Sequence, residues 1–232
     1  MALVKPELFA VLQDAQVEAV LMRLYKAALK QSFSMIVHFL PKAYGLLTRK
    51  GINVKGEDRT FYDDKYIPIV PAQGTFLYMQ ARALQAKNIL EFGTSYGIST
   101  LYLAKAAKDN GGKVITTEYV PHKVTAASKN IAEAGLSDYV EILSGDARET
   151  LKEVDISFDL VLLDGFPDMV FEIFQLIAPR LKKGAVIMVD DVGGFSGAMQ
   201  DYLDYVRHPA NGYLSTTIHP KKGMEFTVKV SD

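Results

Sequence analysis

Apolar residues near the start of the chain recur at Leu8, Leu12, Ala15, Ala19 and Met22. Steps of four and three place them on one face of a helix, so the spacing predicts an amphipathic helix there. A second helix is expected over residues 31–40, stopped by Pro41, whose ring cannot continue the hydrogen-bond ladder. The stretch GINVKGEDRTFYDD that follows carries two glycines and several charges and reads as a loop. From Ala72 onward the period changes. Short runs rich in Leu and β-branched residues alternate with longer segments of helical period, the pattern of βα units on a parallel sheet. Strands are expected at 88–92, 114–118, 140–144, 160–163 and 185–189, and their unbroken apolar character suits strands covered on both faces. Asn110-Gly111-Gly112, Gly135 and Gly184 each read as the end of a helix, the last of them after Lys182-Lys183. The tail alternates instead. GYLSTTIH and MEFTVKV, separated by Pro220-Lys221-Lys222-Gly223, predict an antiparallel hairpin. The expected fold is α/β: five parallel strands plus a C-terminal antiparallel hairpin, helices on both faces, and a helical extension over 1–60 ahead of a main domain over 61–232.

Composition narrows the function. With 232 residues, 49% hydrophobic and 23% charged, the chain has ordinary globular make-up and room for one main domain. A net charge of -1 argues against a broad electrostatic grip on nucleic acid or on an anionic membrane. The absence of cysteine excludes disulfides, thiolate metal sites and a cysteine nucleophile. No apolar run approaches the roughly 18–20 residues needed to cross a bilayer, and the first residues lack the pattern of a secretory signal. A cytoplasmic protein with a small-molecule partner is the expectation, without nucleic acid or membrane.

The first βα junction, ILEFGTSYGISTLYLAKAA, carries the strongest chemical signal. A strand runs into Gly93, passes Gly97 and opens a helix, the turn at which open α/β sheets bind ligands. A dinucleotide fingerprint would need glycines at both Glu91 and Tyr96, on either side of Gly93, and no Gly-Lys-Ser/Thr follows for a Walker loop. The carboxylate of Glu91, standing where a pyrophosphate would lie, disfavours NAD and suits a ligand with a cationic head. S-adenosylmethionine (SAM) is such a ligand, with ammonium and sulfonium charges and a carboxylate that backbone N–H groups at a helix start can receive. Glu118, at the end of the second strand, is placed to accept both ribose hydroxyls.

These segments, with PAQGTFLYMQARAL, LSGDA, FDLVLLDG and GAVIMVDDV in order, resemble the class I SAM-dependent methyltransferases, and within them the catechol and caffeoyl-CoA O-methyltransferase-like family. The resemblance covers the chain from about Pro71 onward. It implies a Rossmann-like sheet and a cofactor site in which Glu91, Gly93, Ser95, Gly97 and Ser99 line the methionine side. Glu118 then holds the ribose, Asp146 and Ala147 meet the adenine, and Asp164 lies under the methionine end. Val70 and Gly74 belong to the segment that closes over the cofactor in relatives. A small hydroxylated acceptor and a homodimer are implied too, with the 1–60 extension as acceptor lid or dimer contact.

Asp164, Asp190 and Asp191 fall at the ends of two successive strands, where they are candidates to converge on one ion. Three hard oxygen ligands favour Mg²⁺ or another hard divalent cation. Asp164 is thus both the candidate catalytic residue and a candidate metal ligand, since an ion holding the acceptor hydroxyl lowers its pKa. The family pattern departs in two places: Asp191 replaces an Asn, and Pro167 stands where a lysine base usually follows the first aspartate. Another reading has Asp191 capping the next helix and Asp190 as an ordinary strand-end residue. A metal-independent transferase and a SAM-binding protein without efficient catalysis are the competing functions. His38, His122, His208 and His219 show no metal-ligand spacing; Phe61, Tyr62 and Tyr66 form a cluster that reads as core packing ahead of an aromatic acceptor wall, and Phe166 as a ring that stacks on the adenine or the acceptor.

Overall fold

The computed structural model describes residues 5–39, 59–195, 197–218 and 223–231. Residues 51–58 of the loop predicted over 51–64 and the turn at 219–222, with the side chains of His38 and His219, lie outside them, while Arg59–Tyr62 of that loop forms a 3₁₀ turn. Two 3₁₀ turns, Pro6–Leu8 and Ala10–Leu12, lead to Gln13 in the left-handed region. Helix α1 (Ala15–Phe39) follows as one continuous rod of 25 residues. Asp14 caps it: its Oδ1 accepts from the Val17 N–H, while its own N–H donates to Glu18. The two separate N-terminal helices expected from the pattern are therefore one, because no glycine or proline interrupts the chain between them.

The core of the molecule is a seven-stranded sheet of order β3-β2-β1-β4-β5-β7-β6. Its strands are β1 (Asn88–Phe92), β2 (Lys113–Glu118), β3 (Val140–Ser144), β4 (Phe158–Leu163), β5 (Leu181–Val189), β6 (Tyr213–Ile218) and β7 (Met224–Lys229). The first five are parallel, and β7 runs antiparallel to both β5 and β6. The expected α/β architecture is thus observed. Strand β5 starts earlier than expected. Lys182, Lys183 and Gly184 do not end a helix; they lie in β5, where the register with β4 shifts, and Lys182 pairs with Asp159.

Successive strand residues face opposite layers, the period of a strand covered on both sides. Ile89, Leu160, Leu162, Val186 and Met188 pack with α1, α2 (Pro71–Ala83), α3 (Ile98–Asn110) and α4 (Pro121–Glu133). Leu90, Val161, Leu163, Ile187 and Val189 pack with α5 (Ala147–Thr150), α6 (Val170–Ile177), α7 (Val192–Phe195) and α8 (Gln200–Arg207). Chain order reverses between β1 and β4. The carboxyl ends of these two central strands therefore flank a crevice, the place where such sheets bind ligands.

Candidate active site

The loop after β1 is shaped by backbone as much as by side chains. Gly93 has φ +102°, and a Cβ there would lie 2.7 Å from the Asp164 carbonyl oxygen, so β1 and the β4 end approach as closely as they do because no side chain intervenes. Gly97, also at positive φ, is the residue from which α3 starts. The next link comes from β2: Glu118 Oε2 accepts from the Ser95 N–H at 2.7 Å, and Oε1 accepts from the Val120 N–H at 2.9 Å. The carboxylate is thereby fixed between the glycine loop and the start of α4, with lone pairs left for further donors.

Beneath this loop lies Glu91, completely buried. Its Oε2 accepts from the hydroxyls of Thr100 and Thr116, and its Oε1 has no hydrogen-bond partner. Burial pushes its carboxyl above the usual range, against the pull of the neighbouring Ser99, Thr100 and Thr116 hydroxyls. Glu91 lies beneath the cavity without lining it, so its charge acts on a ligand through the field it sets at the loop, which disfavours a phosphate and favours a cationic group.

A cavity of about 500 Å³ opens at the strand ends. It is lined by Gly93, Ser95, Ser99, Glu118, Asp146, Ala147, Asp164, Asp190 and Asp191 among the expected site residues. Val70, Glu91 and Gly97 support its walls without lining them. Val70 precedes α2, and Gly74 packs against the Tyr102 ring, where a Cβ would meet it at 2.3 Å. Asp146 caps α5 through the Arg148 N–H and is clasped by the Arg148 guanidinium, whose hydrogen bonds hold its carboxyl below the usual range.

Across the cavity from the strands runs a strap, residues 59–70, tied at both sides. Arg59 reaches both oxygens of Asp168 at 2.7 and 2.8 Å and covers the Phe166 ring at 4.3 Å, with Tyr62 edge-on to the same ring. On the other side Lys123 donates to the Tyr62 carbonyl at 2.9 Å, His122 bonds the Asp63 carbonyl, and Tyr66 stacks on Tyr96 with centroids 3.9 Å apart. Burial lowers the Lys123 pKa, opposed by Glu118, Asp63 and Asp64. Sequence reasoning missed Arg59, Gln73, Tyr96 and Lys123. Lys123 stands in the first turn of the helix after Glu118, and that placement was the available signal.

The three aspartates share the cavity wall but do not gather on one point. Among the described residues no three His, Asp or Glu side chains form a group that could hold a metal ion, so the convergence expected from the sequence is not found there. Asp190 Oδ1 instead accepts from Gln73 Nε2 at 2.5 Å, both residues being buried. Asp191, at φ +57°, heads α7, and its carbonyl accepts from the Gly194 and Phe195 N–H groups. The donor set of the cavity thus fits SAM.

Comparison with known proteins agrees with this geometry. Residues 90–192 match a family described as a methyltransferase domain. A catechol O-methyltransferase of Niastella koreensis is 38% identical over 130 residues, 54% of this chain and 58% of that protein. The aligned stretch spans about three fifths of the length of the curated relatives it matches. Among solved structures, cofactor-bound Rv0187 from MTB superposes with a TM-score of 0.67 at 28% identity, covering 83% of this chain and 91% of that one. The O-methyltransferase TomG of Streptomyces achromogenes, in complex with SAM, gives 0.66 at 25% identity, covering 75% and 86%. The Rossmann-like methyltransferase fold expected from the motifs is the one observed. Among the described residues no helix is long and apolar enough to cross a membrane.

Proposed function

We propose that this methyltransferase fold works as a SAM-dependent O-methyltransferase on a small, aromatic, hydroxylated acceptor. The observation that carries the reading is Glu118 fixed by the Ser95 N–H at the rim of the cavity, a carboxylate presented where a ribose diol would donate. Glu91, beneath the loop, favours the cationic amino-acid end of SAM, and the N–H groups at the start of α3 favour its carboxylate. Tyr62, Tyr66, Tyr96 and Phe166 give the cavity an aromatic wall suited to a phenolic ring. The likeness to a catechol O-methyltransferase supports a hydroxyl as the methyl-accepting group.

SAM supplies the methyl: the acceptor oxygen bonds to it as its bond to sulfur breaks, S-adenosylhomocysteine leaves, and the hydroxyl proton passes to solvent. The strap and the cavity floor hold the two reactants in line and keep competing water out, which is where this chain lowers the barrier. Calorimetric titration with SAM and S-adenosylhomocysteine tests the cofactor half; both are expected to bind at one site. Release of S-adenosylhomocysteine across a panel of phenols and catechols tests the other half. Absence of SAM binding would overturn the reading, and binding without turnover of any phenol would reduce it to a SAM-binding protein.

A further inference from the structure

Lys123 breaks three local rules at once. It stands in the first turn of α4, where the positive end of the helix dipole disfavours a cation. It is only 6% exposed, so its charge is largely withdrawn from water. Its ammonium carries three N–H donors, of which one goes to the Tyr62 carbonyl at 2.9 Å, and the same nitrogen lies 5.6 Å from the centre of the Tyr96 ring. Among the described residues the other two donors meet no hydrogen-bond acceptor, although Lys123 lines the cavity. Residues that break local rules without a local gain gather at functional sites. Glu118 lines the same cavity with the opposite need: its oxygens take the Ser95 and Val120 N–H groups and keep further lone pairs. The two side chains feel each other's charge, yet among the described residues no ion pair or hydrogen bond joins them. A buried cation with donors to spare and a carboxylate with lone pairs to spare are matched together by a hydroxyl, which gives one proton and receives others on its oxygen. A phosphate would be repelled by Glu118, and an ammonium by Lys123.

We propose that Lys123 is a cofactor-binding residue, donating to the oxygen of a ribose hydroxyl whose proton Glu118 accepts. This rests on the SAM reading and deepens it, because the ribose is then gripped from both sides. The ammonium that holds the ribose also holds the Tyr62 carbonyl, so cofactor and strap share one nitrogen. A cofactor lacking that hydroxyl leaves a buried donor unspent, and the site discriminates against it for that reason.

The experiment is a calorimetric titration of the full chain, wild type and Lys123→Met, with S-adenosylhomocysteine and with its 2′-deoxy and 3′-deoxy analogues. Lys123→Met is expected to bind S-adenosylhomocysteine about tenfold more weakly than wild type. In wild type, one of the two deoxy analogues should bind about tenfold or more below the parent compound. In Lys123→Met the loss from that same change should shrink by about threefold or more, because the donor it forfeits is already gone. Losses that simply multiply for both analogues, as for a lysine that serves the strap alone, would overturn the proposal. Unchanged affinity of Lys123→Met for S-adenosylhomocysteine would do the same. Should Lys123→Met show no thermal unfolding transition, Lys123→Gln, which keeps an N–H donor on a shorter stem, is carried through the same cycle with the same expectation. Absence of S-adenosylhomocysteine binding to wild type would sink the SAM reading and this assignment with it, whereas binding with losses that multiply sinks this assignment alone.

Discussion

At the scale of single residues, the two glutamates of the site differ in what surrounds them, and that sets what each does. Glu118 is held by two backbone N–H groups and keeps lone pairs for a ligand. Glu118→Ala is expected to weaken SAM binding by about 1–3 kcal/mol through lost hydrogen bonds, read by calorimetry; unchanged affinity would remove the ribose role. Glu91 carries a raised pKa because burial penalises its charge. A raised folded-state pKa means that its favourable contribution is complete below the unfolded value of about 4.3 and is lost as pH rises through the folded value. The ligand-free Glu91→Gln protein should therefore gain thermal stability over wild type as pH rises from 5 to 8, while binding SAM more weakly. A difference in melting temperature that does not change with pH would contradict this account.

The elements show which parts of the fold were legible and why. Strands such as Asn88–Phe92 and Val140–Ser144 could be read to the residue because each stops where a glycine, Gly93 or Gly145, begins the loop; β1 is covered on both faces, whereas β3 is the half-exposed edge of the sheet. The start of β5 was hidden, since Lys182-Lys183-Gly184 carries the chemistry of a helix end, and only the register shift against β4 reveals a strand. The break expected within α1 had no residue to cause it. Glu118 and the aspartates were legible from strand ends, whereas Gln73, Lys123 and Arg59 take their roles from partners far away in sequence. Lys123 ties the strap to α4 through a charge that burial disfavours. Lys123→Met is therefore expected to leave the stability of the ligand-free protein unchanged or raised. It should also speed SAM dissociation by about tenfold, since a hydrogen bond from a charged group is lost from the closed strap. Stopped-flow release rates check this, and an unaltered rate would show that the strap does not control exit.

At the scale of the whole molecule, the division of the chain into an extension over 1–60 and a domain over 61–232 meets a physical constraint. Val17, Val20, Leu21, Leu24 and Tyr25 of α1 are buried in the same apolar cluster as Ile89, Leu101, Ala127 and Leu160, so this helix closes one face of the sheet's cover instead of standing apart. Helix α1 packs directly on α3, the helix that the glycine loop opens, and on α4, the helix that carries Lys123. Removing it would expose the outer sides of both helices and with them the support of the cofactor loop. A chain beginning at residue 61 is therefore expected to lose its cooperative unfolding transition, and the full chain to unfold in a single one, followed by calorimetry and circular dichroism. The milder change Leu21→Ala removes a fully buried side chain and should cost about 2–5 kcal/mol, with SAM affinity largely kept in the fraction that remains folded. A truncated chain that still unfolds cooperatively and binds SAM would show instead that the extension is an appendage, and that the sheet and its two central strand ends suffice to build the site.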